Sequence, residues 1–71
     1  MRVDKQHALK ISNDDAKTHY RDLSIYEINI QLVADHWKID YELKNKKLRG
    51  GGPHYIISAE TGEILSKRFE Q

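Results

Sequence analysis

The sequence predicts an α+β domain in which one N-terminal helix packs on an antiparallel sheet of about four strands, connected as a β-meander. Two long segments alternate apolar and polar residues, the period-two pattern of strands buried on one face. A segment ahead of them carries apolar residues at spacings of three and four, as helices do. We expect the 71 residues to form a single domain, with a lead-in at 1–10, a helix at 11–23 and the sheet at 25–71.

Composition limits the class of protein. With 12 Lys+Arg against 11 Asp+Glu, the net charge is only +1, so no overall field draws the molecule onto nucleic acid or anionic lipid. Cysteine is absent, which excludes a disulfide scaffold and thiolate metal sites. No run approaches the roughly 18 apolar residues of a membrane span, and the charged N-terminus lacks the apolar run of a signal peptide. We therefore expect a cytoplasmic protein with no membrane partner.

The helix is predicted from its start signals. Ser12 suits the N-cap position, and Asp15 three residues later completes a capping box. Ala16, Tyr20 and Leu23 then continue one narrow apolar stripe. Such a short helix is not stable alone, so we expect it to lie on the sheet.

The first two strands are predicted to form a hairpin over 26–32 and 36–43. The side chains expected to face the helix are Tyr26, Ile28, Ile30, Leu32, Trp37, Ile39, Tyr41 and Leu43. The opposite, polar face is expected to carry Glu27, Asn29, Gln31, Lys38, Asp40 and Glu42. This places the single tryptophan in the core rather than at an interface.

Two further strands are predicted after a loop over 44–53 that holds three consecutive glycines and Pro53. The third strand covers 54–59, and Gly62 suits the turn that leads into the fourth, 63–70. Alternation is weaker here, because Ile64 competes with Leu65 and Phe69 for the inward side. The register of these two strands therefore stays open.

No catalytic, cofactor or metal site is predicted. The four histidines have no pair at ligand spacing, so scattered surface positions explain them best. Without cysteine, and with no serine in a glycine-flanked turn, the chain offers no candidate nucleophile. We therefore expect a non-enzymatic protein.

The loop over 44–53 carries a cluster of positive charge. Lys44, Lys46, Lys47 and Arg49 precede the glycines, but the lysine and Ser/Thr of a P-loop are missing, and a strand follows instead of a helix. These charges could contact phosphates or pair with an acidic protein surface. A small nucleic-acid or phosphate-binding module acting through this loop is therefore the alternative function.

The order of the motifs resembles a known family. The segments that carry the resemblance are Ile11-Ser12-Asn13-Asp14-Asp15-Ala16, Tyr26-Glu27-Ile28, Trp37-Lys38-Ile39-Asp40-Tyr41, Gly50-Gly51-Gly52-Pro53-His54-Tyr55-Ile56-Ile57, Thr61-Gly62-Glu63-Ile64-Leu65 and Glu70-Gln71. Together, over roughly 11–71, they resemble small bacterial immunity proteins of polymorphic toxin systems, described as having a nuclear-transport-factor-two-like fold. The resemblance implies that the chain binds and neutralises a cognate Rhs or contact-dependent toxin domain.

The surface expected to bind the toxin is the polar face of the hairpin with the basic loop. The candidate residues are Glu27, Asn29, Gln31, Lys38, Asp40, Glu42, Lys47 and Arg49. We expect a monomer that forms a 1:1 complex with its toxin.

Overall fold

The computed structural model describes residues 2–45 and 51–69, and it confirms the α+β architecture. Its elements are α1 (Lys5–Ala16), β1 (Tyr26–Val33), β2 (His36–Leu43), β3 (Pro53–Ser58) and β4 (Ile64–Phe69). The four strands form one antiparallel sheet in the order β1-β2-β3-β4, so each strand pairs with the next along the chain. The helix lies on one face of this meander.

The helix begins earlier than predicted, and the expected helix at 11–23 is wrong. Its N-cap is Asp4, whose carboxylate accepts the His7 backbone N–H at 2.8 Å, so most of the supposed lead-in is helical. Ser12, predicted as the cap, lies inside the helix and is fully buried. Tyr20 and Leu23 follow the helix and pack on the core from the connection. The prediction failed because small polar residues were interpreted as a helix start.

The helix contacts the sheet through small side chains and tyrosine hydroxyls. Ala8, Ser12 and Ala16 recur every four residues and form its buried stripe. The Tyr41 hydroxyl lies 2.8 Å from Ser12 Oγ and donates to Asn13 Oδ1. These bonds satisfy polar atoms at a buried interface, which would otherwise be costly.

A second tyrosine contacts the end of the helix. The Tyr55 hydroxyl donates to Asp15 Oδ2 at 2.8 Å, and Lys67 Nζ lies 3.4 Å from the other oxygen. Burial raises the pKa of Tyr55 above its ordinary value, and the hydrogen bond to the Asp15 carboxylate raises it further. Burial also raises the pKa of the Tyr41 hydroxyl. Both rings therefore favour the neutral phenol in the folded state.

The N-terminal segment closes one end of the core. The Val3 N–H donates to the Ala59 carbonyl at 2.6 Å, and the Ala59 N–H donates to the Asp35 carbonyl at 2.8 Å. The Trp37 indole donates to the Val3 carbonyl at 2.9 Å, which agrees with its predicted place on the helix side of the sheet. These bonds connect the start of the chain to the β1–β2 and β3–β4 turns.

A β-bulge settles the register that the sequence left open. Ile57 pairs with Ile64, whereas Ile56 pairs with Ser66, so Leu65 is the extra residue. As a result, Ile64 and Phe69 both pack against the core despite their odd spacing, and Leu65 is exposed. The bulge also directs Ser66 and Arg68 to the face opposite the helix.

The helix covers less of the sheet than the sequence predicts. It packs mainly on β2 and β3, where Ile39 and Tyr41 are fully buried. Ile28 and Leu32 share the helix side of the sheet but stay 38% and 51% exposed, so their predicted burial is wrong. A 12-residue helix on the middle strands does not reach most of the edge strand. The helix of the described residues is too short and too polar to cross a bilayer.

Candidate functional site: the outer face of the sheet

The face of the sheet opposite the helix, here called the outer face, is mostly polar, and no element among the described residues packs across it. Its side chains lie in rows that follow the strand register. One row is Asn29, Asp40, His54 and Arg68. The next row is Gln31, Lys38, Ile56 and Ser66. All six candidate residues of the predicted hairpin face therefore lie on one surface.

The outer face is acidic at the end where β1 begins. Glu27 lies directly opposite Glu42, and both side chains are exposed. Like charges opposite each other on neighbouring strands repel and are mildly destabilising. A cation placed over this pair would relieve that repulsion.

Asp40 and His54 form a close polar contact on the outer face. Asp40 Oδ1 lies 2.7 Å from His54 Nδ1, and their side chains are only 25% and 22% exposed. The sequence suggested that His54 is a scattered surface residue. In the structure it is partly buried and contacts Asp40. The contact arises because the two residues are direct partners in the β2–β3 register.

A shallow open groove of about 330 Å³ lies beside this pair. Its lining residues are Lys38, Asp40, His54, Tyr55, Ile56, Ser66 and Arg68. Two of the lining side chains, Lys38 and Arg68, are cations, whereas Asp40 is the one carboxylate among them. Ile56 adds an apolar surface to the groove. The groove end of the outer face is therefore cationic, in contrast to the Glu27–Glu42 end.

Sequence reasoning found the β1 and β2 part of this surface and missed the β3 and β4 part. His54, Ile56, Ser66 and Arg68 were not candidates, because both sides of β3 hold large apolar residues and the bulge in β4 shifts its alternation. The predicted residues Lys47 and Arg49 of the basic loop lie outside the described residues. Of that loop's cations, only Lys44 is described, and it is exposed.

The chemistry of the groove is suited to binding. The Nε2 nitrogen of His54 is shielded from solvent. Asp40 occupies the other ring nitrogen. Within residues 2–45 and 51–69, no group of three or more His, Asp or Glu side chains lies together as a metal site would require. The polar groups form an open, charged surface around the groove.

Comparisons with known proteins find no relative of this chain. No protein-family model matches the chain, and searches of curated proteins and of solved structures return no match.

Proposed function

We propose that the chain is a non-enzymatic immunity protein that binds a cognate toxin domain through its outer face and so protects the producing bacterium in the cytoplasm. The observation that carries the proposal is the charge arrangement of this face. One end holds the Glu27–Glu42 pair, and the other holds Lys38 and Arg68 around the groove. A protein surface with a basic and an acidic patch at matching positions would be attracted and oriented by this arrangement.

The strand pairing beneath the surface supports a binding function. All the side chains involved project from paired strands, and Asp40 and His54 are in contact at the groove. A surface that needs little ordering loses little entropy when it binds. Ile56 at the floor of the groove supplies an apolar contact among the charges, as the centres of protein interfaces commonly do.

The decisive experiment is rescue from toxicity. The neighbouring genes are inspected for one that ends in a toxin-like domain, that domain is co-expressed with the chain, and growth is measured together with co-purification of the two proteins. We expect growth to recover and a complex with one chain per toxin domain to form. Continued toxicity with no co-purified complex would contradict the proposal.

Two matched double variants locate the binding surface. Lys38→Glu with Glu42→Lys exchanges one charge at each end of the outer face without changing net charge. Lys5→Glu with Glu60→Lys makes the same exchange at exposed positions away from that face. We expect the first variant to weaken toxin binding by at least about tenfold and the second to bind normally. Equal binding by the two variants would exclude the outer face.

The nucleic-acid alternative is tested on the same protein. Fluorescent random-sequence DNA, single-stranded and duplex, is titrated at low and at physiological salt. Because phosphate contacts release counterions, binding through the basic loop would weaken steeply with salt. Toxin binding without such DNA binding is the expected outcome.

A further inference from the structure

The two edges of the sheet differ in how they are protected from pairing. Natural sheets block their edges with charges, prolines or bulges. β4 carries Lys67 and Arg68 and a bulge, whereas β1 runs for 8 residues in unbroken register with Glu27 as its sole charged residue. In the described part of the chain, no other strand pairs with the outer edge of β1. This edge is therefore open to another strand.

The backbone groups at this edge follow from the β1–β2 ladder. The Lys44 N–H donates to the Ile25 carbonyl at 2.9 Å, so these residues form a hydrogen-bonded pair at the start of the ladder. Such pairs alternate along an antiparallel ladder. The N–H and C=O groups of Ile28, Ile30 and Leu32 consequently point away from β2. The side chains of these three residues are apolar and lie on the helix side of the sheet. The helix leaves Ile28 and Leu32 exposed there.

We propose that β1 pairs antiparallel with β1 of a second copy, about a two-fold axis at Asn29, to form an eight-stranded sheet. The sequence of β1 is nearly symmetric about this residue, as a two-fold interface requires. The opposing residues in this register are Ile28 with Ile30, Glu27 with Gln31, and Tyr26 with Leu32. Each polar residue then meets a polar residue, and each apolar residue meets an apolar one.

The side chains favour this register over its neighbours. If the two β1 strands were shifted by one residue relative to each other, apolar side chains would lie opposite polar ones. The backbone N–H and C=O groups of the two edges would also no longer face each other. A shift of the axis to Ile30 would place the Glu27 carboxylate opposite Val33 instead of the Gln31 amide. With the axis at Asn29, Glu27 meets a hydrogen-bond donor, and no like charges face each other.

The association closes at two copies. Pairing consumes the open edge of both chains and leaves only the charged, bulged β4 edges outside. The proposed dimer differs from the monomer expected from the sequence. The outer faces of the two copies remain exposed, so the dimer does not depend on the toxin proposal.

Cysteine cross-linking tests the axis directly, because the chain has no cysteine of its own. Asn29 would face its own copy as a non-hydrogen-bonded pair, with Cα atoms about 4.5 Å apart, within the range that a disulfide spans. We expect Asn29→Cys to form covalent dimers under mild oxidation at least about fivefold faster than Glu42→Cys, an exposed position on the interior strand β2. Equal rates for the two variants would overturn the proposed register.

Charge substitution at Gln31 tests the pairing without altering the core. Gln31→Lys places an ammonium opposite Glu27 of the second copy, and Gln31→Glu places a like charge there. We expect dimerisation to tighten by about twofold or more in the first variant and to weaken by a similar factor in the second. Sedimentation equilibrium gives both constants. A wild-type mass that stays at 8.3 kDa up to about millimolar concentration would refute the dimer, whatever the toxin experiments show.

Discussion

Removal of the Tyr41 hydroxyl tests whether the polar helix–sheet contact stabilises the fold. Tyr41→Phe keeps the buried ring but deletes the group that lies 2.8 Å from Ser12 Oγ and donates to Asn13. Ser12 retains its bond to the Leu9 carbonyl at 3.0 Å, so only part of its hydrogen bonding is lost. The Asn13 oxygen loses its donor at a partly buried position.

The magnitude follows from these contacts. One net hydrogen bond contributes about 1 kcal/mol, and a buried group left partly unsatisfied adds about as much, so we expect a loss of about 2 kcal/mol. In a domain of this size, that corresponds to a fall in Tm of about 8–16 °C. Tyr26→Phe is the matched control, because the Tyr26 hydroxyl forms no hydrogen bond with any of the described residues. Its expected cost is below about 0.5 kcal/mol.

Urea unfolding measures the effect through Trp37, the single tryptophan, whose indole is bonded to the Val3 carbonyl. The slope of free energy against urea should stay constant while the midpoint falls. Ser12→Ala added to Tyr41→Phe should cost less than the sum of the two single changes, because the residues share a contact. If Tyr41→Phe lost no more stability than Tyr26→Phe, the Tyr41 hydroxyl would not stabilise the helix–sheet contact.

The remaining predictions use the same urea assay. Gly52→Ala should destabilise by about 3 kcal/mol, since a Cβ there would lie 2.6 Å from the Tyr41 carbonyl oxygen; unchanged stability would contradict this close approach. Ala34→Gly should stabilise by about 0.5 kcal/mol, because φ is 55° at this exposed turn residue, and a loss of stability would exclude backbone strain as the dominant effect. Stability should fall as the pH rises above about 10, because the unfolded tyrosines ionise there while burial keeps Tyr41 and Tyr55 protonated. Tyr55→Phe should reduce that alkaline fall, and an unchanged pH dependence would contradict the assignment.

Period-two alternation predicted the first two strands well because it is a local pattern. The hairpin register pairs Val33 with His36 across a two-residue turn, so the faces predicted for β1 and β2 are observed. The helix was predicted less well, because its buried stripe is Ala8, Ser12 and Ala16, which carries little apolar signal. Its cap, Asp4, was overlooked in a segment interpreted as a lead-in.

Local sequence patterns were enough to predict the α+β class, the order of the elements and the polar composition of the outer face on β1 and β2. These depend on side-chain alternation and turn residues, which act over a few neighbouring positions. Three features became visible only in the folded chain: Asp40 contacts His54, the bulge at Leu65 brings Arg68 to the same face, and Ile28 and Leu32 stay exposed. Those outcomes depend on which distant strands pair and how far one short helix extends over them, and neither is encoded in a local period.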